Sequence, residues 1–161
     1  MASKAKTERD FYPAVKDWLE KELRQRFQNV YLEITANRTF TKAIKEQIPS
    51  GREIIFNFLR EAAPDITGFI KGQFQSEFIV VEVKNEVIKL DDIYQTKKYA
   101  DLFDAQYALL VSPEEIPEEL IRLSRSVPNL LNLSHYLKRF VLVRLEVESG
   151  NTVWFEKNPF A

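Results

Sequence analysis

PDITGFIKGQFQSEFIVVEVKNEVIKLDDIYQTKKYADLFDAQYALLVS, residues 64–112, carries most of what the chain says about its architecture. Two apolar runs, Ile66 to Ile70 and Phe78 to Val83, read as strands. Lys71, Gly72 and Gln73 between them predict a tight turn, so the pair is expected to form a hairpin. Side chains alternate along a strand, so Glu82 and Lys84 share one face and Val81 and Val83 the other. The first strand opens on Pro64-Asp65 and the second closes on Glu82-Val83-Lys84. Charges that close an apolar run are costly to bury without partners. A divalent cation between Asp65 and Glu82 would be such a partner.

Leu90 to Phe103 reads as a helix and Gln106 to Val111 as a further strand. On a helical wheel Ile88, Tyr99, Leu102 and Phe103 fall in one arc with Gln95 at its middle. A glutamine on a packing face needs hydrogen-bond partners. The carboxylates and Lys84 at the end of the adjacent strand are the expected ones.

Pro64-Asp65, Glu82-Val83-Lys84 and Gln95-Thr96-Lys97-Lys98-Tyr99, placed on hairpin and helix in this order, resemble the PD-(D/E)xK nuclease superfamily. The resemblance covers Glu8 to Ser112, and its Gln-x-x-x-Tyr spacing is similar to that of the exonuclease-like branch. It implies an α/β domain of restriction-endonuclease-like fold, a mixed sheet with an αβββαβ core. It further implies a Mg²⁺- or Mn²⁺-dependent endo- or exodeoxyribonuclease that hydrolyses phosphodiester bonds, with DNA the expected partner. Asp65, Glu82 and the backbone carbonyl of Val83 would hold the metal. Lys84 would stabilise negative charge, because neighbouring carboxylates oppose the lowered pKa that a lysine base needs. Gln95 would hold the attacking water or a carboxylate, and Tyr99 either contacts a phosphate or packs.

Many members of the superfamily carry a further glutamate on the first helix. Glu8, in Glu-x-x-Phe-Tyr-Pro-x-Val-Lys, is the preferred match, and Glu22 is the rival. In this fold, insertions after the first strand lie near the cleft. Arg38, Lys42, Lys45 and Arg52 are therefore candidate phosphate contacts, supported by Lys97 and Lys98. The same insertion reads equally well as a solvated face. A second class of function, a nuclease-like domain that binds nucleic acid or protein without cleaving, stays open. So does a plain α/β domain in which the motif is coincidental.

The rest of the chain fits one domain over residues 1–161, with a core at about 8–112 and an extension at 113–161. Thr7, with Asp10 three residues on, is expected to cap a helix that runs to about Phe27, with Pro13 tolerated if it lies in the first turn. Phe11, Val15, Trp18, Leu19 and Leu23 give that helix its apolar face. Val30 to Ala36 reads as a strand on which Glu33 is either a further site carboxylate or, as favoured, the polar face of an edge. Short helices are expected around 41–47 and 53–62. Beyond Ser112 come a helix over Glu118 to Ser126 and a hairpin of Arg139 to Val147 with Thr152 to Glu156. Trp154 and Phe155 are expected to pack, and His135 to be structural.

Basic and acidic residues number 23 and 24, so the chain is no generic polycation and nucleic-acid binding would depend on local patches. Residues 1–62 carry 12 basic and 9 acidic side chains, residues 63–112 carry 5 and 8, which sets an acidic centre beside a basic flank. The absence of cysteine excludes disulfides and thiolate metal sites, and a single histidine excludes a multi-histidine zinc site. No apolar run reaches membrane-spanning length, and a cytoplasmic location without membrane contact is expected. The oligomeric state, a homodimer included, is not legible.

Overall fold

Alternating apolar residues build the centre of the molecule, a six-stranded mixed sheet in the order β1-β2-β3-β4-β5-β6. The computed structural model describes residues 7–133 and 138–161, so the expectations for Met1 to Lys6 and for His135 lie outside the described residues. The elements are α1 (Glu8–Arg24), β1 (Val30–Ile34), α2 (Lys42–Lys45), α3 (Ile55–Phe58), β2 (Ile66–Lys71), β3 (Ser76–Val83), α4 (Leu90–Phe103), β4 (Tyr107–Ser112), α5 (Glu118–Ser126), β5 (Arg139–Leu145) and β6 (Thr152–Trp154). The first three strands pair antiparallel, β3, β4 and β5 run parallel, and β6 returns antiparallel. Parallel neighbours need a crossover, and α4 and α5 supply the two. The C-terminal hairpin extends the sheet.

The sheet separates two apolar layers. Ile79, Val81 and Val83 pack with Val15, Leu19 and Leu23 of α1. Phe78 and Val80 point the other way, into a layer with Ile93, Tyr99 and Phe103 of α4 and with the insertion residues Ile44, Ile55 and Leu59. This is the period of two that the sequence displays. The hairpin register pairs Ile66 with Val81 and Lys71 with Ser76, leaving a loop of residues 72–75 closed by Gly72 N–H on the Gln75 carbonyl at 3.2 Å. The turn is thus longer than the Lys71-Gly72-Gln73 turn expected. Gly68, at the middle of β2, is required by packing: a Cβ there would strike the Leu32 side chain and the Tyr31 carbonyl.

Helix starts follow local chemistry. Thr7 N–H donates to Asp10 Oδ2 at 2.8 Å, and Lys89 N–H donates to Asp92 Oδ2 at 2.9 Å, so an acid in each first turn caps its helix. Pro13 lies one turn deeper in α1 than the first, where it denies the Arg9 carbonyl its helical bond. Trp18 stacks on Trp154 with centroids 5.3 Å apart and ties α1 to β6, the packing role expected of Trp154. The helix expected over 53–62 shortens to the four residues of α3, because Arg52 and Pro49 shape the chain before it and Ala62-Ala63-Pro64 leads straight into β2.

Candidate functional site

Asp65 and Glu82 meet at one end of the sheet because β2 and β3 are antiparallel and in register. Asp65 precedes Ile66, Glu82 follows Val81, and these two are partners. Glu82, opposite in phase to Val81, faces the α4 side of the sheet, whereas Asp65, just ahead of β2, has its carboxylate at the sheet's end within reach of Tyr12 from α1. Val83 N–H donates to Asp65 Oδ2 at 2.7 Å, and Asp65 N–H donates to Glu82 Oε1 at 3.3 Å. In an antiparallel pair the N–H and C=O of one residue face the same neighbour. The Val83 carbonyl thus leaves β3 on the Asp65 side.

Burial is the largest influence on both carboxyls. Burial pushes the Glu82 carboxyl up to about 9, and the Asp65 charge adds to the rise. Asp65 is raised to about 6 by burial, although the Val83 N–H and the Tyr12 hydroxyl both favour its ionised form. Tyr12 is itself raised, by burial and then by the Asp65 charge. Tyr12 lies one helical turn after Glu8, and that (i, i+4) relation is the signal that would have found it from sequence.

Lys84 completes the pole. Its Nζ lies 3.3 Å from Glu8 Oε1 and 3.6 Å from Asp92 Oδ1. Burial lowers the ammonium's pKa, but Asp92, Glu8 and Glu82 together outweigh it and leave the pKa raised. Lys84 is therefore a fixed cation. Glu8 reaches the site from α1, whereas Glu22 accepts from Asn158 Nδ2 at 3.3 Å at the other end of that helix. Asp92 went unrecognised in the sequence; one of its oxygens caps α4 while the other holds Lys84.

Gln95 differs from its expected place. The buried stripe of α4 is Ile93, Thr96, Tyr99, Ala100 and Phe103, and Gln95 lies at its exposed rim. Gln95 Nε2 donates to the Tyr99 hydroxyl at 2.8 Å. Tyr99 is 1% exposed, so its ring packs, and its hydroxyl feels Glu82 and Asp65. Burial is the main cause of its raised pKa.

The candidate phosphate contacts separate into two groups. Arg52 Nη2 donates to the Leu102 carbonyl at 2.7 Å and Nη1 lies 3.8 Å from Asp104, so this side chain caps the end of α4. Lys97 donates to the Asn129 and Leu130 carbonyls at 2.8 and 3.1 Å. Both donate to backbone carbonyls. Lys42 pairs with Glu46 at 3.5 Å, and Lys45 lies over the Phe56 ring at 5.8 Å. Arg38 and Lys98 are exposed and form no ion pair among the described residues. Glu33 is not at the site: it is buried and accepts from Tyr31, from the Thr41 hydroxyl and from Thr41 N–H at 3.0 Å, which anchors the insertion.

A groove of about 560 Å³ opens at the opposite pole, lined by Gln47, Phe74, Ser76 and Lys138 among others. Its Asp104 is already met by Arg52 and Lys138. The raised carboxylates are instead at the Asp65 pole, and perturbed, converging acids are the stronger sign of chemistry. Among the described residues no group of three or more His, Cys, Asp or Glu side chains is arranged to hold one ion. Magnesium asks for less, one or two carboxylates and several waters. The donors present are all oxygens, and two carboxylates that resist joint ionisation fit a hard divalent cation.

The chain matches no protein-family model, no curated protein and no solved structure. Among the described residues no helix is long and apolar enough to cross a membrane.

Proposed function

We propose that this chain is a divalent-metal-dependent phosphodiesterase of the PD-(D/E)xK type, with the restriction-endonuclease-like architecture and nucleic acid, DNA first, as its substrate. The supporting observation is the convergence of Asp65 and Glu82 at one end of the sheet with Lys84 held beside them by Glu8 and Asp92. Asp65, Glu82 and the Val83 carbonyl would hold Mg²⁺ or Mn²⁺. When bound, that ion supplies charge neutralisation and a more acidic water. The protein's own part is positional and electrostatic. Lys84 would offer a lasting positive charge to the non-bridging phosphate oxygens, where negative charge builds as a water oxygen bonds to phosphorus and the ester P–O bond breaks, the water's proton passing to solvent and the departing oxygen leaving as a protonated hydroxyl. Its raised pKa argues for this role and against that of a base. Gln95, exposed beside Tyr99, would orient a phosphate oxygen or the water.

The test is cleavage of duplex, single-stranded and branched DNA, and of RNA, with Mg²⁺ or Mn²⁺, against Lys84→Ala and Glu82→Gln controls. Loss in both controls supports the assignment. Cleavage that survives in both places the active site elsewhere. Binding without cleavage by the unmodified chain would favour the non-catalytic alternative.

A further inference from the structure

We infer that the phosphate backbone of the substrate is held by a basic lip of Arg9, Arg38, Arg60 and Lys98 around the Asp65 pole, not by the α2 face that carries Lys42 and Lys45. The inference rests on the phosphodiesterase reading and specifies how a polyanion reaches that site.

The pole gathers Glu8, Asp65, Glu82 and Asp92 around a single Lys84. Such a centre repels a polyanion unless cations flank it. The chain provides them from four segments. Arg38 lies just beyond β1, where its N–H donates to the Thr35 carbonyl at 2.8 Å, and Thr35 N–H donates to the Asp65 carbonyl at 2.8 Å. That places Arg38 one turn of chain from Asp65. Its Nη1 donates to the Glu61 carbonyl at 3.3 Å, which uses one of five guanidinium N–H groups and leaves the others for a ligand. Arg60 is exposed and adjoins Glu61 in the run that leads to Pro64-Asp65. Lys98 lies one turn after Gln95, its ammonium 5.4 Å from the centroid of the Tyr99 ring whose hydroxyl holds Gln95. Arg9 follows Glu8 in the exposed first turn of α1.

None of these four takes part in an ion pair among the described residues. The insertion cations differ. Lys42 faces Glu46, and Gln47, two residues after Lys45, meets Ser76 at the start of β3. Ser76 and Val83 are separated by the length of β3, about 20 Å. The C-terminal end of α2 and Arg52 thus serve the far pole.

The test is salt-dependent binding of a labelled single strand and a labelled duplex to the full chain in EDTA, where metal-dependent cleavage is off. Replacing Arg9, Arg38, Arg60 and Lys98 with Gln is expected to flatten the slope of log affinity against log salt by about 3, nearer 0.7 per lost contact on a single strand and 0.9 on a duplex. A matched control, Lys21, Lys42, Lys45 and Lys157 to Gln, is expected to keep the slope. Should the fourfold lip variant fail to fold, Arg60→Gln with Lys98→Gln is expected to remove about half as much. An unchanged slope in the lip variants, equal losses in lip and control, or no salt-dependent binding overturns the lip. Binding through the lip without cleavage in Mg²⁺ or Mn²⁺ overturns the phosphodiesterase reading alone, and cleavage with an unaltered slope overturns the lip alone.

Discussion

Glu82→Gln keeps the shape of the side chain and an oxygen for the Asp65 N–H, and removes the ionisable group. The folded protein holds the Glu82 proton to about pH 9, against 4.5 for an ordinary glutamate. The sign follows from counting protons. At low pH both folded and unfolded chains are protonated at this site and it contributes nothing. Between the two pKa values the folded chain keeps a proton that the unfolded chain has lost, so stability falls as pH rises. At about pH 7.5 the gap is about 3 units, an upper limit of about 4 kcal/mol. Asp65, raised to about 6, adds a smaller penalty of the same sign over the lower part of that window. A domain of this size has about 5–15 kcal/mol in total, so the effect is measurable. Glu82→Gln is expected to raise the metal-free midpoint near pH 8 by up to about 10 °C and to match the unmodified chain near pH 4.5. The assay is thermal unfolding in EDTA across that range, repeated with excess Mg²⁺. Magnesium is expected to stabilise the unmodified chain at high pH by linkage, and not the variant. A flat pH profile, or a variant less stable at pH 8, would refute the buried-pair argument.

Lys84→Met is expected to abolish cleavage while leaving Mg²⁺ affinity, measured by titration calorimetry, within a few-fold, and to destabilise the metal-free chain because Glu8 and Asp92 lose their shared cation. Tyr12→Phe removes a hydroxyl bonded to Asp65 and is expected to cost about 1 kcal/mol in denaturant unfolding and to lower turnover. Gly68→Ala is expected to cost about 3 kcal/mol, read as a fall in the unfolding midpoint, because β1 stands where the new Cβ must go. Arg52→Ala is expected to lose about 1–2 kcal/mol of stability through the Leu102 carbonyl and to leave the salt slope of nucleic-acid binding unchanged.

Elements were legible where one physical period dominates. Leu90 to Phe103 and Glu118 to Ser126 have the extents read from the sequence, because helical periodicity and acidic first turns agree there. The hairpin carrying Asp65 and Glu82 was legible as two apolar runs about a glycine turn, but its register was not, because both faces of β2 and β3 are buried and no apolar–polar alternation marks it. Gln95 was misplaced because the wheel was centred on Tyr99 and Leu102, whereas Thr96, Ile93 and Ala100 are buried and draw the stripe around by one residue. Thr96 hides there by donating its hydroxyl to the Asp92 carbonyl at 2.7 Å, a local bond that an apolar count does not register. The partners of Arg52 and Lys97 were hidden for another reason. They lie 50 and 32 residues away, at a helix end and in a loop that only the fold brings near.

Lys84 joins the two layers of the fold. It is the last charge of a central strand, and the acids that hold it come from opposite layers, Glu8 from α1 and Asp92 from α4. The same Asp92 caps α4, so the start of that helix and the position of the ammonium are set by one carboxylate. A surface pair of this kind contributes little to stability. Here the three side chains are 21, 32 and 15% exposed for Lys84, Glu8 and Asp92, which reduces screening and restricts where the cation can go. A structural ion pair would be satisfied by one acid. Two acids from separate layers hold the lysine, and its charge in turn favours the ionised forms of Asp65 and Glu82 without overcoming their burial, so both carboxyls stay raised. In the proposed site a divalent ion between them would supply the missing charge; without it the pair is costly for folding as pH rises.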